Sequence, residues 1–209
     1  MSEEQQTVQT MDTVKKRAWT DNYLVQAWLV LLMAALYGGI LIAVQLNWGP
    51  IIAENKRQTT YSRIPDLAPG TDVKHVVEKK LTKDGKTITV YQCNNAENQP
   101  VGWVLPASGQ GFADAVDLLI GLDAKAEKIT GLFVLNQKET PGLGNYIKED
   151  YFCKQFNQTN ADKPITVVKG KDGAPENNEI RALTGATISS QSVCNIVNAA
   201  LSAWRNELK

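Results

Sequence analysis

The segment from Leu183 to Gln191 reads Leu-Thr-Gly-Ala-Thr-Ile-Ser-Ser-Gln and holds the residues best suited to chemistry. Its hydroxyl groups precede a run with helical periodicity, and a helix start offers unpaired backbone N–H groups and the positive end of the helix dipole. The small residues Gly185 and Ala186 allow a bulky group to approach the backbone. This combination predicts a loop that holds a phosphate group. The alternative is a capped helix preceded by small residues, a common arrangement that these nine residues alone favour.

The residues after this segment predict an amphipathic helix of about five turns. Ser189 or Ser190 is the predicted N-cap, because a serine hydroxyl can accept a hydrogen bond from a backbone amide of the first turn. The helix would present one apolar stripe to a core. That stripe comprises Val193, Ile196, Val197, Ala200, Leu201, Trp204 and Leu208.

The composition of the 209 residues bounds what the chain can do. Its length favours one globular domain with an additional segment. Lys+Arg and Asp+Glu number 22 each, and no basic aromatic cluster occurs, so we expect no nucleic-acid partner. The single histidine, His75, has no ligand at metal-binding spacing, which predicts a solvated side chain and no metal site. A disulfide among Cys93, Cys153 and Cys194 is an alternative in an oxidising compartment, but the sequence does not determine a pairing.

An uncharged run from Asn22 to Ile52 predicts a membrane anchor, which we assign to a transmembrane helix over residues 23–52. Its core from Ala27 to Leu46 has 20 residues with one polar side chain, long enough to span a bilayer as a helix. A cleaved signal peptide is the alternative, but its apolar region would be about 7–15 residues long and small residues would follow it. Aromatic residues suited to the two membrane interfaces flank the run at Trp19, Tyr23, Trp28 and Trp48.

Basic residues on the two sides of the anchor bear on its orientation. Their numbers balance, with Lys15, Lys16 and Arg17 before the anchor and Lys56, Arg57 and Arg63 after it. The tight cluster before the span favours a cytoplasmic tail over residues 1–22, since a long following domain crosses largely regardless of its charge. The sequence therefore predicts a single-pass protein of the cytoplasmic (inner) membrane, with its main domain on the periplasmic or extracytoplasmic side.

Residues 53–70 predict a juxtamembrane helix and a linker, because Pro65, Pro69 and Gly70 interrupt a polar, helix-permissive run. Beyond them, over residues 71–209, the apolar period shortens towards two, as is typical of strands. The predicted class is α+β, with a mixed and mostly antiparallel sheet closed by the final helix.

The individual elements of this domain follow from the same patterns. A hairpin is predicted at Lys83-Asp84-Gly85, a helix over residues 146–156 and a surface loop over residues 170–178. Strands are predicted over residues 73–81, 86–92, 100–105, 115–122, 128–136 and 164–169, with a polar turn over residues 123–127.

A second informative loop, Glu139-Thr140-Pro141-Gly142-Leu143-Gly144, separates the strand over residues 128–136 from the predicted helix. Pro-Gly predicts a type II turn in which Gly142 takes a positive φ, and Gly144 keeps the backbone accessible. Taken alone, this loop would be interpreted as a turn and nothing more.

Taken together, residues 109–144 and 183–192 resemble the FMN-binding domain shared by the G subunit of the Rnf ion-translocating complex and the C subunit of the sodium-pumping NADH:quinone reductase. An anchor before such a domain also fits that family. The pattern of the Rnf complex is the closer match, because the chain is short and keeps Thr-Gly-Ala-Thr-Ile-Ser-Ser near its C-terminus. The matching features are Gly109, Gly111 and Phe112, then Ile120-Gly121-Leu122-Asp123, the loop over residues 139–144, and Thr-Gly-Ala-Thr over residues 184–187.

This resemblance implies a covalent flavin. The second threonine of the motif, Thr187 here, would carry FMN through a phosphoester, with FAD as donor and a separate flavin transferase as catalyst. Leu143 would give the flavin an apolar contact, and Glu139 or Thr140 a polar contact to its ring or ribityl chain. The other implied cofactor-binding residues are Gly144, Thr184, Gly185, Ala186 and Ile188, with Gly111 and Phe112 as further contacts.

Three positions depart from the family pattern. An Asp usually stands six residues before the modified threonine, in the motif that the transferase recognises, but Arg181 stands here and Glu179 is the nearest carboxylate. Gln137 replaces a histidine that often precedes the glutamate of the loop by two residues. Phe112-Ala113-Asp114 replaces an aromatic-Gly-Gly sequence. These departures bear on flavinylation and on the contact near Phe112.

The function that the resemblance implies is electron transfer in a membrane-bound complex that couples ferredoxin:NAD+ oxidoreduction to ion translocation. The implied partners are the other subunits of that complex, a flavin transferase and the lipid bilayer. We expect no independent turnover, since the chain has neither a Gly-x-Gly-x-x-Gly motif after a strand nor a Ser/His/Asp set. The alternatives are the C subunit of the quinone reductase, and an assembly or docking subunit in which Thr187 is unmodified, which Arg181 supports.

Overall fold

The computed structural model describes residues 23–83, 85–170 and 173–208. The tail predicted over residues 1–22 and the turn residue Asp84 lie outside them. The chain divides into two compact units, with the boundary between Asn55 and Lys56.

The first described element is the helix α1, Tyr23–Leu67, which contains the predicted anchor. Its most apolar 18-residue stretch has a mean hydropathy of 2.4, and none of that stretch is buried. Large side chains such as Trp28, Leu41 and Trp48 are more than half exposed, as suits a helix solvated by lipid. By length and composition α1 can cross a membrane, so the expected apolar helix is confirmed.

The second unit is built on a five-stranded antiparallel sheet in which each strand pairs with the next along the chain. The predicted hairpin is confirmed, since Lys83 pairs with Lys86 and Gly85 has a φ of +74°. The first predicted strand begins late, because Val73–His75 form a 3₁₀ turn capped by the side chain of Asp72. The strands are β1 (Val77–Lys83), β2 (Lys86–Asn94), β3 (Pro100–Gln110), β4 (Ala115–Asp123) and β5 (Ile129–Asn136).

Both faces of this sheet are covered, which explains the continuous apolar run in β4. Leu118, Ile120 and Leu122 point into the main core, whereas Leu119 lies in a second, smaller core on the opposite face. A strand buried on both faces loses the polar alternation of a half-solvated strand.

The last turns of α1 cover the second face, together with Ala68. Ile64 and Leu67 are buried there, and an edge-to-face contact joins the rings of Tyr61 and Tyr91 at 5.6 Å. Gly121 permits this close approach, since a Cβ on it would collide with the carbonyl oxygen of Leu67. Residues 56–70 therefore belong to the folded unit, and the predicted juxtamembrane helix continues through Pro65 to Leu67.

The segment after β5 differs from prediction. In place of one helix over residues 146–156 the chain forms a 3₁₀ turn at Gly144–Lys148, the short helix α2 at Asp150–Cys153 and another 3₁₀ turn at Lys154–Phe156. Glu149 is extended, with a ψ of 145°, and this breaks the helix.

The strand predicted over residues 164–169 is β6 (Thr166–Val168), and it pairs in parallel with β7 (Glu179–Arg181), which the sequence did not predict.

The final helix, α3, spans Thr187–Trp204 and packs on the main face of the sheet. Every residue of the predicted apolar stripe is buried, but Leu208 lies beyond the end of α3, after a 3₁₀ turn at Arg205–Glu207. This packing places the start of α3 beside the end of β3 and the loop after β5. Further along the helix, a Cβ on Gly109, near the end of β3, would come within 2.6 Å of Cγ1 of Ile196, in the middle of α3.

Candidate functional site

Three segments meet around an open cavity of about 320 Å³. They are the turn that follows β3, the loop after β5 and the start of α3. The cavity brings together eight of the predicted site residues, namely Phe112, Thr140, Leu143, Gly144, Gly185, Ala186, Thr187 and Ile188, and adds Ser189.

The remaining predicted residues lie outside this lining. Thr184 is exposed and lines a neighbouring cavity of about 560 Å³ beside Tyr146 and Tyr151. Gly111 and Glu139 lie behind the wall, and Glu139 is only 3% exposed. Thr140 is therefore the polar residue of the loop that faces the cavity, and Glu139 is not.

The helix start corrects the predicted cap. α3 begins at Thr187, and its N-cap residue Ala186 makes no side-chain cap hydrogen bond. Ser189 and Ser190 lie buried inside the first turn. The Ser190 hydroxyl accepts from Leu183 N at 3.0 Å and donates to Ala186 O at 3.0 Å, so it ties the loop to the helix. The sequence shows two good capping residues, but their hydroxyls have internal partners instead.

Thr187 occupies the first position of this uncapped helix and is half-buried at the cavity wall. The first amide of α3 with a helical acceptor is Ser190 N, which donates to Ala186 O at 3.0 Å. The preceding amides of the turn are free of helical partners by geometry, and they add to the positive end of the helix dipole. A threonine hydroxyl thus stands where the backbone stabilises negative charge.

The loop after β5 adopts the predicted type II turn. Leu143 N donates to Thr140 O at 3.2 Å, and Gly142 has a φ of +77°. Leu143 is 44% exposed and reaches across to Gly185, where a Cβ would lie 2.9 Å from Leu143 Cδ2. Because Gly185 also has a φ of +78°, this position favours glycine on two counts.

Glu139 has a role that sequence reasoning missed. Its Oε1 accepts from Phe112 N at 2.8 Å and from Ala113 N at 3.1 Å. Its Oε2 accepts from the Ser189 hydroxyl at 2.5 Å. The buried carboxylate therefore joins the segment after β3 to the start of α3. The only sequence signal for this role was a glutamate directly before a tight turn.

Three residues that depart from the family pattern, Gln137, Arg181 and Asp114, do not line the cavity. Gln137 Oε1 accepts from Glu139 N at 2.6 Å and so holds the base of the loop. Arg181 is exposed on β7 and borders the neighbouring cavity. Asp114 forms an ion pair with Lys138 at 3.1 Å. The hydrogen bond from Ala115 N, and then Lys138, lower the pKa of Asp114.

The three cysteines and His75 do not line the cavity. All three cysteines are free and buried, so the disulfide alternative does not hold. Burial raises the pKa of Cys93 to about 11 and those of Cys153 and Cys194 to about 12. His75 lies 3.2 Å from Asp72, and the described residues contain no cluster of three potential metal ligands.

Comparisons with known proteins agree with this geometry. A family model described as "FMN-binding domain" matches residues 111–202. The G subunit of the proton-translocating ferredoxin:NAD(+) oxidoreductase complex of Clostridium ljungdahlii is 30% identical over 164 residues, which cover 78% of this chain and 82% of that protein. The G subunit of the Na(+)-translocating complex of Acetobacterium woodii is 32% identical over 145 residues, covering 68% of this chain and 67% of that protein.

A solved structure shares the fold. The crystal structure of NqrC from Shewanella oneidensis matches 67% of this chain and 70% of its own, with a TM-score of 0.55 and 17% sequence identity. Together with the apolar helix α1 and the antiparallel sheet of this structure, this likeness confirms the α+β class.

Proposed function

The chain belongs to the family of G subunits of ion-translocating ferredoxin:NAD(+) oxidoreductase complexes, and from that premise we propose that it carries FMN on Thr187 and relays electrons between other subunits. A single-pass anchor holds it in the membrane. The G subunits are 30–32% identical to this chain, whereas the C subunits of the quinone reductase are 23–28% identical, which favours this assignment over the C subunit.

The observation that carries the proposal is the position of Thr187, at the first residue of an uncapped helix and in the wall of the cavity. Its hydroxyl oxygen would form the bond to the phosphorus of the FMN half of FAD, with AMP leaving and the hydroxyl proton lost. The first-turn amides would then hold the phosphate charge. A flavin transferase would catalyse this step.

The cavity walls fit the rest of an FMN group. Phe112, Leu143 and Ile188 are exposed apolar side chains on three sides, and they would pack on a planar ring. The Thr140 hydroxyl can meet a polar group of the ring or the ribityl chain. When bound, FMN supplies reversible electron transfer, while this chain supplies placement and electrostatic surroundings.

The decisive experiment is an intact mass of the full chain after co-expression with a flavin transferase. We expect the mass of one esterified FMN on the wild type, its complete loss in Thr187→Val, and its retention in the matched control Thr184→Val, because Thr184 lies outside the cavity lining. Flavin retained in Thr187→Val would contradict the attachment site and move it to Thr184 or Ser189.

A second candidate function is a docking or assembly subunit with Thr187 unmodified. It is favoured by the exposed Arg181, which stands where the transferase motif usually has a carboxylate. A wild-type mass equal to that of the bare polypeptide, with an active transferase present, would establish this alternative.

For its place in the cell we propose a cytoplasmic N-terminus and an FMN domain on the extracytoplasmic side. This proposal is supported by the basic cluster Lys15, Lys16 and Arg17 ahead of the apolar run.

A further inference from the structure

The buried carboxylate of Glu139 is stabilised by hydrogen-bond donors rather than by a cation. It accepts three hydrogen bonds, from Phe112 N, Ala113 N and the Ser189 hydroxyl. Among the ion pairs of the described residues none includes Glu139, and the adjacent Lys138 pairs with Asp114 instead. Two of these donors are backbone N–H groups, which can only donate, and such donors stabilise a negative charge on the oxygen that accepts from them. The group thus brings a negative charge into the wall of the cavity.

The same carboxylate holds two walls that are distant in sequence. Phe112 lies 27 residues before Glu139, and Ser189 lies 50 residues after it. Both of these residues line the cavity. Because charge-assisted hydrogen bonds are stronger than neutral ones, this one side chain fixes the spacing between the segment after β3 and the start of α3.

Two glycines show how closely the carboxylate is enclosed. A Cβ on Gly111 would collide with Glu139 Oε1, and a Cβ on Gly144 would lie 2.8 Å from Glu139 Oε2 and 2.7 Å from Ser189 Oγ. The carboxylate is therefore closely packed by the backbone on both sides. The Ser189 hydroxyl lies 2.5 Å from Oε2, and Ser189 itself lines the cavity where a flavin would lie.

We propose that Glu139 is a positioning residue that keeps the cavity walls in register for the group on Thr187, and that its buried charge lowers the reduction potential of that flavin. The claim about the reduction potential rests on the proposed function. Reduction adds electrons to the flavin, and a fixed negative charge nearby, poorly screened because it is buried, opposes that gain. The claim that Glu139 positions the cavity walls does not depend on a bound flavin.

The charge is tested on the full chain in detergent, loaded by co-expression with the transferase and checked by intact mass. Glu139→Gln keeps the shape and removes the charge, so the reduction potential should rise. Ser189→Ala keeps the charge and removes the hydroxyl, so the potential should fall or stay unchanged. Glu97→Gln is the matched control, because Glu97 is exposed and precedes β3, roughly 35 Å of strand from Gly111. If Glu139→Gln has the wild-type reduction potential, or if Ser189→Ala has a higher one, the proposed effect of the Glu139 charge on the potential is overturned.

The positioning is tested without flavin, by hydrogen exchange on the full chain made without the transferase. In Glu139→Ala the amides of Phe112 and Ala113 should exchange more than about tenfold faster, since a hydrogen bond to a charged group contributes about 1.5–3 kcal/mol. Glu97→Gln should leave them unchanged. If Glu139→Ala does not fold, Ser189→Ala replaces it, and exchange of the Ser190 amide, the first of α3 with a helical acceptor, should then quicken. Unchanged exchange in the folded variant would overturn the positioning role.

The redox titration and the hydrogen-exchange experiment can fail independently of the proposed function. A wild-type chain without flavin mass would contradict the proposed function, while the exchange experiment would still decide the positioning role. If the wild type carries flavin and a folded Glu139→Gln chain does not, that result would support the positioning role. The reduction potential of Ser189→Ala would then decide whether the charge of Glu139 acts on the flavin.

Discussion

At the scale of single residues, three hydroxyls of one segment have three different tasks. Thr187 faces the cavity, Ser189 joins α3 to Glu139, and Ser190 joins α3 to Leu183. Sequence reasoning selected the right segment because small and hydroxyl residues before a helical period mark a helix start. It could not assign the tasks, because the partners of Ser189 and Ser190 depend on how α3 packs.

Leu143 offers a test of the apolar wall. Leu143→Asp should leave the flavin mass in place, because Thr187 is untouched, but should change the reduction potential and the absorption spectrum of the bound flavin. The physical reason is that a charge would replace an exposed apolar side chain in the cavity lining. Redox titration and visible spectroscopy measure both effects. An unchanged potential and spectrum would mean that this loop does not contact the flavin.

At the scale of elements, the contact between the end of α1 and β4 includes an ion pair. Lys56 Nζ lies 2.9 Å from Asp117 Oδ2. Burial would raise the pKa of Asp117, but hydrogen bonds from Lys56 and Ser108 and the charge of Lys56 outweigh it and hold the pKa below its ordinary value. A lowered carboxyl pKa contributes stability above the unfolded pKa, and that stability is lost as the pH falls through the folded pKa.

Lys56→Met should therefore lower the free energy of unfolding at pH 7 by less than about 1 kcal/mol, as expected for a pair that is partly exposed. The difference from wild type should shrink below about pH 4, where an unperturbed Asp side chain becomes protonated. Urea unfolding at pH 7 and at pH 3 measures both values. Lys125→Met, in the exposed turn after β4, is the control. A difference that is as large at pH 3 as at pH 7 would argue against the ion pair.

The accuracy of prediction differs between elements for physical reasons. The strands β2, β4 and β5 and the helix α3 were predictable because each carries an apolar period over seven or more residues. The segment over residues 146–156 was not, since short 3₁₀ turns leave no period. β7 has three residues and is fixed by pairing with β6, which is a tertiary contact. The role of Glu139 likewise depends on donors contributed by two distant segments.

At the scale of the whole molecule, the orientation of the anchor has a direct test. The basic cluster before the apolar run favours a cytoplasmic N-terminus, which places Leu208 on the extracytoplasmic side. Alkaline phosphatase fused after Leu208 should therefore be active, and a green fluorescent protein fused there should be dark. Replacing Lys15, Lys16 and Arg17 with Gln should reduce the phosphatase activity. A fluorescent, phosphatase-negative pair of fusions would reverse the assignment.

The burial of Ile64 and Leu67 on the sheet determines where a water-soluble piece of this protein can begin. A fragment that starts at Thr71 would leave Tyr91, Val104 and Leu119 without cover, and each buried apolar side chain lost from that layer forfeits about 1.5–3 kcal/mol. We expect that fragment to precipitate, and one that starts at Lys56 to stay monodisperse in size-exclusion chromatography. Expression trials that place the cut by hydropathy alone would thus remove a structural layer along with the lipid-facing segment.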